Sequence, residues 1–252
     1  MGIFVNIGLI IVIILLAGIL GVLVGFVPTG FITTPSLCLV GSGNVTSETR
    51  TVDTFHSVDL RGWGNLYVTQ DGASDIRIEA EDNILPILQT YVRDGVLVIE
   101  QKEFKCVRPK KPVNVYVAMD EVKQLTLSGS GKIIGQTKIT SDSLGVKVSG
   151  SGDIDFDVDT EKLRTTISGS GNAQLKGDAT THDITISGSG DIQSYDLDTE
   201  KSTVKVFGSG KSEVSVSDEL DVTITGSGDV YYKGDPVINT QITGSGKMKK
   251  VE

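Results

Sequence analysis

Val148-Ser149-Gly150-Ser151-Gly152-Asp153-Ile154 decides the fold, because the same frame returns along the chain at a nearly constant step. Gly-Ser-Gly triplets begin at Gly41, Gly129, Gly150, Gly169, Gly188, Gly208, Gly226 and Gly244, and from Gly129 onward the steps are 21, 19, 19, 20, 18 and 18 residues. Such a period marks a solenoid with one repeat per coil. Two residues before each of the last seven triplets stands an aliphatic side chain: Leu127, Val148, Ile167, Ile186, Val206, Ile224 or Ile242. Four residues after the first glycine come Ile133, Ile154, Ala173, Ile192, Ser212, Val230 and Met248. Polar and apolar residues alternate around them, as in Asp153-Ile154-Asp155-Phe156-Asp157-Val158. Alternation of period two, rich in β-branched residues, means strands with one buried face. Turn clusters such as Asp159-Thr160-Glu161-Lys162 and Asp198-Thr199-Glu200-Lys201 divide the coils, and no coil carries a 3.6-residue pattern. The fold class is therefore all-β, a single-stranded parallel β-helix with coils of about 19 residues.

Stacked coils bring equivalent residues to about 4.8 Å from one another. The middle serines then form an outward ladder. The residues after the triplets, Lys132, Asp153, Asn172, Asp191, Lys211, Asp229 and Lys247, form a column in which no neighbours share a charge. Like charges facing across strands are destabilising, so this column reads as register control on a solvated face. The frame also extends backwards. Val58 to Leu66 matches Leu125 to Ile133, with Trp63 in the serine position. Ile76-Arg77-Ile78, Val96 to Ile99 and Val113 to Val117 read as strands of further, irregular coils. Asn83 to Arg93 breaks the pattern and reads as a short helix or apolar loop capping the solenoid. At the other end, Lys247, Lys249 and Lys250 place charge where another strand would add.

Residues Ile3 to Val27 are apolar apart from Asn6 and glycines, and no charged side chain precedes Glu48. A helix of that length reaches about 37 Å, against a hydrocarbon core of about 30 Å. A basic n-region and an A-x-A cleavage site are both missing. A retained single-pass membrane helix over residues 1–28 is the expectation, with a cleaved signal or a lipid anchor on Cys38 as alternatives. Ala17, Gly21 and Gly25, four residues apart, offer a small-residue face for helix association in lipid. Residues 29–47 read as an uncharged Pro/Gly/Ser/Thr connector, and 48–252 as the β-helix domain.

The net charge of −9 disfavours nucleic acid as a partner. Cys38 and Cys106 are too few for a disulfide framework and lie in different regions, so a bridge between them is not the expectation. His56 and His182 lack companions at metal-ligand spacing and read as surface or turn residues. Gly150 to Asp155 resembles a calcium β-roll repeat, but that repeat needs an aspartate ladder where this column alternates with Lys and Asn. No cofactor or metal is expected. Asp153 and Asp191 stand two coils apart, about 9.6 Å, at the outer limit for an inverting glycosidase pair. No aromatic platform or basic cluster accompanies them. Trp63 is the side chain suited to stacking on a ligand sugar, with packing beneath the first coils as its other use.

The succession TRTVDTFHSVDLRGWGNLYVTQDGASDIRIEAEDNILPILQTYVRDGVLVIEQK, then KPVNVYVAMDEVKQLTLSGSGKI, then the SGSGD and SGSGN coils, resembles the head GIN domain family over Val45 to Glu252. Members are described as heads of autotransporter adhesins or as bacterial surface proteins. The resemblance implies a right-handed β-helix, in keeping with the chirality of parallel crossovers. It transfers no catalytic or binding residue. The expectation is a non-catalytic, membrane-anchored cell-surface module for adhesion or scaffolding, with its domain outside the cytoplasm. The membrane through the N-terminal helix, a second copy of the chain, and a surface glycan or protein ligand are its expected partners. The alternatives are a polysaccharide-binding or polysaccharide-cleaving β-helix, and a scaffold assembling on the cytoplasmic side of the membrane.

Overall fold

In the computed structural model, residues 38–72, 75–102 and 106–252 are described. The apolar segment read as a membrane helix, with Ala17, Gly21 and Gly25, lies outside them. Among the described residues no helix is long and apolar enough to cross a membrane.

The central coils are nearly continuous strands: Ile139–Gly150, Asp153–Gly169, Asn172–Gly188, Asp191–Gly208 and Lys211–Gly226. Each pairs in parallel with the next along almost its whole length. The register is the one the triplets dictate. Leu127, Val148, Ile167, Ile186, Val206, Ile224 and Ile242 are successive partners in one column. Its first six members are at most 0% exposed, whereas Ile242 is 41% exposed. Burying such side chains is the main driving force of the fold, at about 1.5–3 kcal/mol for each.

The triplet works because its two glycines face different obstacles. Gly150 turns the corner at φ +126°, in the left-handed region that side chains avoid. Its neighbour Ser151 donates its N–H to the carbonyl of Gly129 in the coil before, at 2.9 Å. A Cβ on Gly152 would lie 2.5 Å from Leu127 Cδ2 and 2.6 Å from the carbonyl oxygen of Gly131. The serine between them points outward, and the same geometry recurs coil after coil.

The backward extension holds at its first step. Ser57–Gly62 and Asn65–Gln70 pair in parallel with Gln124–Gly129 and Lys132–Gly135, with Leu60 opposite Leu127 and Gly62 opposite Gly129. Val96–Gln101 and Asn114–Met119 add one more parallel layer. Beyond that the winding stops, contrary to the reading of Ile76-Arg77-Ile78 as a coil strand. Ile76–Glu81 runs antiparallel to Asn114–Met119, and Val45–Arg50 runs antiparallel to Ile76–Glu81. Residues 83–93 contain a 3-10 turn, Leu85–Ile87, and a strand, Leu88–Arg93, antiparallel to Val96–Gln101. Alternation fixes which face is buried, and it is identical for parallel and antiparallel strands. Direction had to come from the turns.

Candidate functional site

A second correction concerns the cysteines. Cys38 and Cys106 form a disulfide, with Cα atoms 4.4 Å apart across a separation of 68 residues. A short parallel pair, Leu39 with Val107 and Val40 with Arg108, brings them together. Residues 38–47, read from composition as connector, thus belong to the compact unit Cys38–Glu252. The first triplet, at Gly41, is not a coil corner. The Glu81 carboxylate fills the space where a Gly41 side chain would stand. Glu81 is fully enclosed and accepts hydrogen bonds from the backbone N–H of Gly43 (2.6 Å), Lys110 (2.9 Å) and Lys111 (3.3 Å). Burial pushes its pKa up, but these N–H groups outweigh burial and hold it below the usual carboxylate range. Next to it, the Ser42 hydroxyl and Asn44 amide donate to Asp82 at 2.6 and 2.9 Å. The Asn83 amide donates to the Val40 carbonyl at 2.8 Å. The result is a clasp tying the start of the unit to its cap.

Trp63 occupies the predicted serine position, half-buried and packed against the core cluster. The cavity beside it, lined by Leu60, Arg61, Leu88, Val113 and their neighbours, holds about 10 Å³. That is room for a single water, so the cavity beside the indole is too small to admit a ligand. Nearby, Tyr67 and Tyr116 stack with centroids 4.9 Å apart. The Arg77 guanidinium covers Tyr116 at 3.9 Å from the ring centroid. Burial, then the Glu79 carboxylate that accepts its hydroxyl at 3.2 Å, raises the Tyr116 pKa. These rings face one another and a cation, in an outward column the sequence reading did not single out. Tyr67 aligned with Tyr116 is visible once Asn65–Gln70 and Asn114–Met119 are placed in register.

Asp153 and Asp191 fall in the alternating column as expected, each aligned with Asn172 between them. Lys132 pairs with Asp153 at 3.2 Å, Asn172 donates to Asp153 at 3.0 Å, and the backbone N–H of Lys211 donates to Asp191 at 2.9 Å. The column's polar groups satisfy one another from coil to coil. A second acidic column was missed: Asp159, Asp178 and Asp198 are direct partners on successive coils. They edge an open groove of about 410 Å³ that also includes Thr160, Thr199 and Glu200. The recurring turn clusters around Asp159 and Asp198 were the available signal. Lys138 meets one member of this column, lying 3.3 Å from Asp178 as well as 3.8 Å from Asp157, and its pKa rises through the Asp178 hydrogen bond. Among the described residues no three His, Cys, Asp or Glu side chains converge to hold a metal ion.

His182 is a further correction. It is 1% exposed, not at the surface. It takes the interior slot between Leu163 and Ser202. One ring nitrogen, Nε2, lies 2.9 Å from Thr165 Oγ1, and Nδ1 has no hydrogen-bond partner among the described residues. Burial drives its pKa down to about 3. His56 is half-buried, with Nδ1 3.0 Å from Ser57 Oγ.

Comparison with known proteins places this geometry. A solved structure described as a "putative adhesin" from Bacteroides fragilis has a TM-score of 0.81 at 25% identity, covering 84% of this chain and 100% of that one. One described as a "Putative lipid binding protein" from Parabacteroides distasonis has a TM-score of 0.72 at 24% identity, covering 85% and 99%. Another "putative adhesin" from Parabacteroides distasonis has a TM-score of 0.69 at 25% identity, covering 84% and 99%. No curated protein matches. The family model described as "Putative auto-transporter adhesin, head GIN domain" matches residues 54–236, from the first parallel strands to the last turn before Val237–Gly244. More than half of the chain is matched on the coils described above, and the protein belongs to the head GIN domain family.

Proposed function

We propose that the chain is an exported, cell-surface adhesion module in which a rigid solenoid displays ligand-binding columns without catalysing a reaction. The observation that carries this reading is the Cys38–Cys106 disulfide clasping a solenoid of the adhesin-head family. Disulfides persist in oxidising compartments, which favours the extracytoplasmic side over a cytoplasmic scaffold. Residues 1–28 anchor the module as a single membrane pass, with Ala17, Gly21 and Gly25 as a helix-association face. The free edge of Trp63 is the stacking contact for a surface glycan or protein ligand. Asp153 and Asp191 hold register and do no chemistry.

Two measurements test this. In intact cells the domain should be cut by added protease, and Cys38 and Cys106 should react with a membrane-impermeant thiol reagent only after reduction. A protected domain with free thiols overturns the extracytoplasmic reading. On a glycan array with product analysis, a bound glycan should be recovered uncleaved. Cleavage that disappears in Asp153→Asn or Asp191→Asn would establish the enzyme instead.

A further inference from the structure

The strand Val237–Gly244 pairs on one side with Lys211–Gly226, and all eight of its residues are exposed. Among the described residues no strand pairs with its other edge. Its inward-facing side chains are Ile238, Thr240 and Ile242, aligned with the buried Leu220, Val222 and Ile224. Ile238 and Ile242 are 37% and 41% exposed, and Val237 is 70% exposed. A parallel strand leaves the N–H and C=O groups of alternate residues on its free edge.

Edges of this kind are ordinarily guarded by charge. The equivalent stretch of every central coil carries some: Lys147, then Lys162 and Arg164, then Asp183, then Lys201 and Lys205, then Glu219 and Asp221. Val237-Ile238-Asn239-Thr240-Gln241-Ile242-Thr243-Gly244 carries none. The lysines at 247, 249 and 250 guard only the next strand, Lys247–Lys250. The charge-free stretch is also the one with the most exposed aliphatic side chains.

We infer that Val237–Gly244 is a self-pairing edge, at which two copies of the chain join antiparallel about a two-fold axis through Thr240. In an antiparallel pair, directly opposite residues point to the same face. Centring on Thr240 therefore keeps inward residues opposite inward ones. Ile238 faces the partner's Ile242, Thr240 faces the partner's Thr240, Asn239 faces the partner's Gln241, and Val237 faces the partner's Thr243. Three of the four matches set like opposite like, aliphatic with aliphatic, hydroxyl with hydroxyl and amide with amide, and the fourth sets two β-branched side chains opposite each other. No charge is buried. The contact uses the same patch on both copies, so it closes as a dimer and does not propagate into a fibre. It would join two solenoids through one continuous sheet, leaving both capped ends outermost.

A cysteine scan on the full chain in detergent tests the axis. Cys38 and Cys106 are the sequence's two cysteines and are bridged, so an introduced cysteine is the sole free thiol. Thr240→Cys places two thiols directly opposite, within disulfide reach, and should give a covalent dimer about tenfold faster than the exposed control Thr180→Cys. Val237→Cys alone should not cross-link, yet should do so when mixed with Thr243→Cys. In parallel, Thr240→Lys sets like charges opposite each other and should weaken the dimer about fivefold or more in light scattering. All four substituted positions are exposed in one copy, so folding is not at stake. Cross-linking of Thr240→Cys no faster than the control, or assembly unchanged by Thr240→Lys, overturns the proposal and leaves another segment or partner as the site of assembly.

Discussion

The two ends of the solenoid are finished in opposite ways. At the N-terminal end, Val45–Arg50, Ile76–Glu81 and Leu88–Arg93 run antiparallel to the strands they meet, and a 3-10 turn, a disulfide and the Glu81 cradle fasten them. At the other end, Val237–Gly244 repeats the coil frame without change and is covered by nothing among the described residues. A solenoid core must be closed wherever coils stop. One end closes itself with dedicated residues; the other keeps the shape of a coil, and so keeps the shape that another strand recognises. Closing an end takes sequence that breaks the repeat, and the antiparallel strands, the 3-10 turn and the disulfide that do so here lie before Gln124.

The sharpest way to probe that difference is one substitution made twice in the same column. Ile186→Asp buries an unpaired carboxylate at 0% exposure and should cost more than about 4 kcal/mol, enough to prevent folding. Ile242→Asp, at 41% exposure, should cost less than about 1 kcal/mol in dilute protein by urea denaturation. Equal costs would mean that the open end is covered.

Breaking the clasp attacks the closed end. Replacing both cysteines by serine should lower stability by about 2–4 kcal/mol, because the bridge constrains a long unfolded loop. The loss should appear at the cap in limited proteolysis, with the coils from Asp153 onward retaining their resistance.

Two interior polar residues sharpen the contrast within the coils. His182 has a folded pKa of about 3 against a usual 6.5. The unfolded chain therefore takes up a proton that the folded chain refuses, and stability falls as pH drops from about 6.5 towards 3. His182→Leu matches Leu163 and Leu220 in the column and should recover about 2 kcal/mol at pH 5 relative to its effect at pH 7.5. Glu81 acts in the same direction, because its lowered pKa makes its contribution fade as pH falls through the carboxylate range. A smaller effect belongs to Ser212, whose hydroxyl is buried between Ile192 and Val230 with no partner among the described residues. Ser212→Ala should raise stability by about 1 kcal/mol, measured by thermal melts.

The sequence reading succeeded where one residue type repeats at one spacing. The triplets gave the coil, the Leu127 to Ile242 column and the slot of Trp63, because each coil repeats its neighbour's constraint. It failed where the constraint is long-range and occurs once. Nothing local tells Cys38 that Cys106 lies across a strand pair, or that Glu81 will stand beneath Gly41. His182 is legible in principle, since it sits in phase with Leu163 and Leu220. The Asp159, Asp178 and Asp198 column escaped notice because the register slips between Gln174 and Lys176, so Asp198 stands one residue further from its triplet than Asp159 and Asp178 do. The surface columns are legible as geometry, while the ligand they meet is written in no repeat.

Hydrogen exchange at two protein concentrations reads both ends in one experiment. Amides of Val45–Arg50, Ile76–Glu81 and Leu88–Arg93 should exchange slowly at either concentration. Alternate amides of Val237–Gly244 should exchange fast in dilute protein and become protected as concentration rises. Fast exchange across the cap, or exchange in Val237–Gly244 that ignores concentration, would contradict a solenoid with one closed end and one self-pairing end.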